Sequence, residues 1–235
     1  MVTKIISHRG RTSADSPDNT VHSITDAIES KVDMVEFDVR RTKDKQLICF
    51  HDDAIDENLV SDMLFSDLIE INSMVPTLEQ ILWTAKGNIE IDVELKESGY
   101  EEDVISMVID YFEYDNFIMK SFDRKVVRRI KELDSKIFTG LLLGEEWSLP
   151  QFLQVLKESF TGSGVTVDGA DFLSPNSKIV EIGLMERLRK KQIPIQVWTV
   201  NDDKLLETLI SEDIYSIVTD NPERAMEIRE SVQNV

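Results

Sequence analysis

A single cysteine, Cys49, excludes an intramolecular disulfide and any cysteine-based zinc site in this chain of 235 residues. Its flanks, Leu47-Ile48 and Phe50, predict a buried small hydrophobe and not a reactive thiol. Basic residues are few: 26 Lys and Arg face 45 Asp and Glu, for a formal net charge of −19. That balance argues against nucleic-acid partners, whose phosphates draw on clustered Lys and Arg, and disfavours anionic membrane surfaces. An anionic ligand would need something local to reverse the field, such as a bound divalent cation. No apolar run approaches the ~20 residues that cross a bilayer, so no stable membrane insertion is expected. The first residues carry no charged-then-apolar leader, which predicts a cytoplasmic protein. Glycine numbers nine and proline six, and no linker, low-complexity tract or composition break divides the chain. One domain over residues 1–235 is the expectation.

What the chain does contain is a short β-type apolar run followed by a helix-type segment, repeated. The runs fall at 4–8, 33–39, 46–51, 89–95, 117–122, 137–143, 170–173, 193–200 and 215–219. Helices are expected at 19–30, 77–85, 101–111, 123–133, 150–160, 178–191, 203–211 and 222–229. Such alternation predicts a parallel sheet covered by helices. The run at 46–51 follows its predecessor too closely for a crossover helix, so it is expected to fold back as a hairpin arm turning near Asp44-Lys45. His51 would then lie across from about Asp38. Setting the arm aside leaves eight strands, the number that closes a (β/α)8 barrel of the TIM type. An open doubly wound sheet is the competing architecture, but no glycine-rich phosphate loop follows the first run.

In such a barrel chemistry collects at the carboxyl ends of the strands. Those ends read His8-Arg9-Gly10, Glu36-Phe37-Asp38, Glu94-Leu95-Lys96 and Trp198-Thr199-Val200-Asn201. Glu36 and Asp38 are two apart and share a face. Glu90, Asp92, Glu94 and Lys96 take one parity while Ile89, Ile91, Val93 and Leu95 take the other, so the charged set would line the barrel. Two carboxylates on an inward face are costly unless compensated. Glu36, Asp38 and Glu94 together suit one hard cation, Mg²⁺ or Ca²⁺. A solvent-facing edge strand with alternating charge is the bland account of Glu90–Lys96. His8 and His51 both follow β-type runs and could divide acid and base work. Arg9 and Lys96 suit non-bridging phosphate oxygens, as a fork and as a point charge. Trp198 fits a pocket wall or ordinary barrel packing, and both readings stay open. His22 falls inside a helix pattern as a surface residue with no role.

These pieces, with Pro17-Asp18-Asn19-Thr20, Thr42-Lys43-Asp44, Phe50-His51-Asp52, Pro76-Thr77-Leu78-Glu79, Ser121-Phe122-Asp123 and Thr219-Asp220-Asn221-Pro222, follow one another in a familiar order. The chain resembles the glycerophosphodiester phosphodiesterases, within the barrel group that includes the phosphoinositide-type phospholipases C. The resemblance implies metal-dependent cleavage of glycerophosphodiesters to glycerol 3-phosphate and an alcohol, through a cyclic phosphate. It implies Glu36, Asp38 and Glu94 as ligands of one divalent ion, His8 and His51 as the acid/base pair, and Arg9 and Lys96 as phosphate contacts. The substrate would be a small molecule.

The chain departs from the family pattern in places. Asp18 replaces the usual Glu. Lys45 stands where a turn glycine is usual, so the turn is expected to avoid positive φ. An Arg-Thr-Thr stretch after the His-Asp pair is missing, and the short segment between His51 and Pro76 leaves little room for an insertion. Two other functions compete: a lysophospholipase D accepting an acyl chain, and a barrel that binds a phosphorylated ligand without turnover. The first needs an apolar groove or amphipathic surface helix near the barrel mouth, and none is legible.

Overall fold

Alternating side-chain parity on each strand builds two cores at once. In β2 (Met34–Arg41), Val35, Phe37 and Val39 face outward and pack with helix residues such as Ile24, Ile81 and Val104. Met34 faces inward and joins Ile6, Ile118, Phe172 and Val218 in a plug at the barrel floor. The computed structural model describes residues 2–13, 15–144, 161, 163–180 and 185–233.

Among the described residues eight strands run parallel: β1 (Lys4–Ser7), β2, β6 (Glu90–Leu95), β7 (Phe117–Ser121), β8 (Thr139–Leu143), β9 (Phe172–Pro175), β10 (Gln196–Val197) and β11 (Ser216–Thr219). Their order is β10-β11-β1-β2-β6-β7-β8-β9, and bridges Leu173–Ile195 and Asn176–Trp198 join the two ends. The sheet is thus a barrel of eight parallel strands, as the alternation predicted. The helices α1 (Val21–Glu29), α2 (Phe65–Ile71), α3 (Leu78–Ala85), α4 (Glu101–Tyr111) and α5 (Arg124–Leu133) surround it, followed by Met185–Lys190, Asp203–Ser211 and Pro222–Gln233. Around the segment 178–191 the described residues include the helices Ser177–Ile179 and Met185–Lys190, with 181–184 outside the described residues, as is the helix expected at 150–160. The predicted strand at 193–200 shortens to Gln196–Val197.

Helix starts follow local capping chemistry. Thr20 and Ser23 exchange side-chain and backbone hydrogen bonds, each 3.0 Å, at the start of α1. Thr77 and Gln80 do the same for α3. Each box satisfies orphan N–H groups of the first turn.

The arm β3 (Leu47–Cys49) pairs antiparallel with β2, Val39 opposite Cys49. Phe50 donates to the Asp38 carbonyl at 3.1 Å, so Phe50 and not His51 stands across from Asp38. Lys45 corrects the expectation for the turn: its φ is +66°, the left-handed region a glycine would occupy. Thr42 stabilises the turn around it, accepting from Gln46 N–H at 3.1 Å and donating to Asp44 at 2.6 Å. These bonds offset the ~1–2 kcal/mol cost of a side chain in that region.

The stretch from His51 to Pro76 holds more than expected: a small hairpin, β4 (Ala54–Ile55) with β5 (Asn58–Leu59), and then α2. With Leu68 as its one buried residue, α2 is too short to show a helical period in sequence. Among the described residues no helix is long and apolar enough to cross a membrane.

Candidate active site

Above the apolar floor the barrel interior turns polar in two layers. The lower layer joins Lys120 to Asp92 at 2.7 Å, and Gln196 to Asp92 at 3.0 Å and Ser174 at 2.8 Å. The upper layer holds Glu36, Asp38 and Glu94, 1%, 1% and 6% exposed. The parallel register sets Glu36 beside Asp92 and Asp38 beside Glu94. One oxygen from each of Glu36, Asp38 and Glu94 lies within 4.8 Å of the others. The convergence read from parity is therefore present, and the edge-strand account of Glu90–Lys96 fails because Asp92 and Glu94 are buried.

Electrostatics divides the three acids. Burial raises Glu36, with Lys120 opposing it. Burial and then the Asp38 charge push Glu94 up to about 7. Burial would raise Asp38 too, but the Lys96 ammonium and the Arg9 guanidinium outweigh it and hold Asp38 well below the usual carboxylate range. Lys96 sits 2.6 Å from Glu94 and 3.1 Å from Asp38. Those carboxylates raise its pKa against the opposing effect of burial.

His8, Arg9, Glu36, His51, Glu94 and Lys96 line one cavity of about 290 Å³, with Lys120, Phe122 and Trp198. His8 Nδ1 lies 2.7 Å from Asp220 Oδ1, and Asn201 donates to the other Asp220 oxygen at 2.6 Å. Burial notwithstanding, these bonds hold Asp220 at about 2. His51 Nδ1 is 2.8 Å from Asp52. Burial, and then Lys96, lower the His51 pKa. His22 stands apart, its side chain 71% exposed beside Asp26. Cys49 is fully buried, and that burial raises its thiol well above the usual value.

The loop after β1 is shaped around this cavity. Arg9 takes φ +55° and turns its N–H onto Glu36 at 3.0 Å. Gly10 follows at φ +77°, where a Cβ would stand 2.7–2.9 Å from Ser23. Asn19, at φ +52°, donates to the Asp38 carboxylate at 2.8 Å and accepts from the Asp38 N–H at 2.9 Å. The Asp18 carboxylate, one methylene shorter than the usual Glu, reaches Arg11 at 2.7 Å and Arg9 at 3.3 Å. Trp198 lines the cavity, stacks edge-on against Phe122 at 5.4 Å, and donates to the Ser174 carbonyl at 2.7 Å.

Asn19, Asp92, Lys120 and Asp220 drew no role from sequence. Asp92 shares the parity of Glu94, and Lys120 is a lone cation in an apolar run; both signals were there. The pairing of His8 with Asp220 spans 212 positions and has no local signature. A second concavity lies outside the cavity and shares no lining residue with it. This groove of about 510 Å³ runs beside the start of α1, lined by Val21, Phe65, Ile69, Met74 and Val75 with the polar Thr20, His22 and Gln80 among others.

Comparison with known proteins agrees with this architecture. The profile of the glycerophosphoryl diester phosphodiesterase family matches residues 8–224. A glycerophosphodiester phosphodiesterase of Bacillus altitudinis is 26% identical over 99% of this chain and 100% of its own. The crystal structure of a glycerophosphodiester phosphodiesterase from Parabacteroides distasonis superposes with a TM-score of 0.79 at 26% identity, covering 97% of both chains. A phosphodiesterase of Oleispira antarctica, solved with the product sn-glycerol-3-phosphate, shares the fold at a TM-score of 0.81 and 18% identity, covering 97% of this chain and 96% of that one. The chain belongs to the glycerophosphoryl diester phosphodiesterase family, a family of phosphoric diester hydrolases.

Proposed function

We propose that this protein hydrolyses small glycerophosphodiesters to glycerol 3-phosphate and an alcohol. The observation that carries the reading is one cavity lined by two histidines, the cations Arg9, Lys96 and Lys120, and the buried carboxylates Glu36 and Glu94, with Asp38 within 4.8 Å of both acids. Glu36, Asp38 and Glu94 would hold one divalent ion. Their donor set is all oxygen, within 4.8 Å, and includes two carboxyls whose ionisation burial opposes, so a Mg²⁺- or Ca²⁺-type cation fits it. Bound there, the cation would polarise the phosphoryl oxygens and lower the pKa of the attacking hydroxyl.

Arg9 and Lys96 would face the non-bridging oxygens across the same cavity. One histidine removes the proton from the glycerol hydroxyl next to the phosphate. That oxygen attacks phosphorus, and the bond to the alcohol breaks as the other histidine protonates it. Water then opens the cyclic phosphate, with the histidine roles exchanged. In this scheme Asp220 holds the His8 ring by Nδ1 and leaves Nε2 for proton exchange.

Glycerol 3-phosphate release from a panel of glycerophosphodiesters, with Mg²⁺ or Ca²⁺ present, tests the reading. His8→Ala and His51→Ala should each lose on the order of 10²-fold in kcat, the weight of an acid/base group. EDTA should abolish turnover reversibly. Near-normal rates in both variants would defeat the mechanism, and indifference to EDTA would defeat the carboxylate site.

The apolar groove at Val21, Ile69 and Met74 favours a second reading, in which the substrate carries an acyl chain. Those three side chains are 39%, 37% and 53% exposed. Glycerophosphocholine and lysophosphatidylcholine assayed side by side separate the two. Cleavage of the lipid alone would replace the first reading with the second.

A further inference from the structure

Among the described residues nothing in the β-ladder holds His51 in place. The strand β3 ends at Cys49, the Phe50 bond to Asp38 is the next backbone contact, and residues 51–53 follow as bends. The partner of the His51 ring, Asp52, is 70% exposed, and exposed pairs of this kind contribute ~1 kcal/mol or less. The His51 carbonyl is another matter. Arg40 Nε and Nη2 both donate to it, at 2.9 and 2.7 Å. Arg40 shares the inward face of β2 with Glu36 and Asp38, and its side chain is only 10% exposed. Its remaining nitrogen, Nη1, is ion-paired with Glu97 on the loop after β6, next to Lys96. Glu97 is anchored in turn: its N–H donates to the Tyr100 hydroxyl at 3.0 Å, and Tyr100 is buried.

We propose that Arg40 is a positioning residue for His51, a rigid fork that fixes the free end of the arm against the loop bearing Lys96. The proposal rests on His51 being one of the acid/base pair. Arg40 touches the backbone of His51 and not the imidazole, so it sets where the ring stands and not its charge. A planar guanidinium can place two N–H groups on one carbonyl while a third group holds a carboxylate; a lysine ammonium keeps the charge but not the fork. Misplacing a reacting group by ~1 Å can cost 10²-fold in rate.

The test is a double-mutant cycle on glycerophosphocholine hydrolysis with Arg40→Lys, His51→Ala and the pair together. Arg40→Lys should lower kcat by ~10-fold or more, leaving KM and the Mg²⁺ affinity measured by calorimetry within about twofold of the parent. In the His51→Ala background the same change should cost almost nothing more, because the residue it positions is gone. A merely structural arginine would cost the same in both backgrounds, and that result overturns the proposal. So does a raised KM at unchanged kcat, which would put Arg40 on the substrate, or a parental kcat in Arg40→Lys. If Arg40→Lys does not fold, Glu97→Gln loosens the third limb of the fork, and the same pattern of loss and non-additivity is expected. Parental activity in His51→Ala would instead sink the acid/base reading itself.

Discussion

Asp220 shows how a single group ties acid stability to the site. Its carboxyl is held at about 2, below the ordinary aspartate value near 3.9. A depressed carboxyl contributes stability in full above the unfolded value, and that contribution drains away as pH falls toward the folded one. The contribution is on the order of 2 kcal/mol. Asp220→Asn should therefore lower the melting temperature at pH 7, with the gap from the parent closing between about pH 4 and pH 2. A gap that stays constant over that window would mean that the carboxylate charge is not what the fold uses. Cys49 makes a simpler case. Buried among Val39, Leu47 and Leu78 in the outer core, it should resist a thiol reagent in the folded protein and react only on unfolding.

At the scale of elements, the strands carry their roles by parity. On β6, Ile91, Val93 and Leu95 pack against the helices while Asp92 and Glu94 climb the interior, so one strand serves core and site together. The barrel floor has its own constraint. Gly140 on β8 faces the Phe172 ring, and a Cβ there would stand 2.2 Å from it. Gly140→Ala forces either the ring or the strand to move, and overpacking of this kind costs ~1–3 kcal/mol. A lower denaturant midpoint at unchanged slope is the expected result; an unchanged midpoint would show that Phe172 yields freely. In the layer above, Glu36→Gln, Asp38→Asn and Glu94→Gln should each weaken Mg²⁺ binding in calorimetry. A variant that binds as the parent does would remove that residue from the proposed ligand set.

The molecule as a whole should behave as one cooperative unit. The bridges at the β9 and β10 ends close the sheet, and Arg229, on the helix Pro222–Gln233, pairs with Asp33 just before β2 and donates to the Thr3 carbonyl at 3.0 Å, tying the end of the described chain to its beginning. A single unfolding transition follows from that closure. A ligand that binds the folded form alone stabilises it by about 2.7 kcal/mol at 100 times its Kd. For a domain of this size that is roughly 5–11 °C in melting temperature. Mg²⁺ or Ca²⁺ should produce such a shift and EDTA should reverse it. No shift at millimolar cation would count against the carboxylate site.

The sequence by itself determined the number of barrel strands, the parity that turns Glu36, Asp38 and Glu94 inward, and the order of the pieces that mark the family. All of these are local or periodic properties of the chain. It misjudged Lys45, because the side chain of Thr42 three residues away offsets the left-handed backbone, and it missed α2, whose one buried residue leaves no period to read. Only the tertiary structure decided that Asp220 stands behind His8, that Arg40 grips the His51 carbonyl, that Lys120 pairs with Asp92 beneath the acids, and that Val21 and Met74 share a groove. Each of these joins residues from different strands or loops. Propensity and periodicity act over a turn or a strand, whereas such contacts exist only once the barrel has closed.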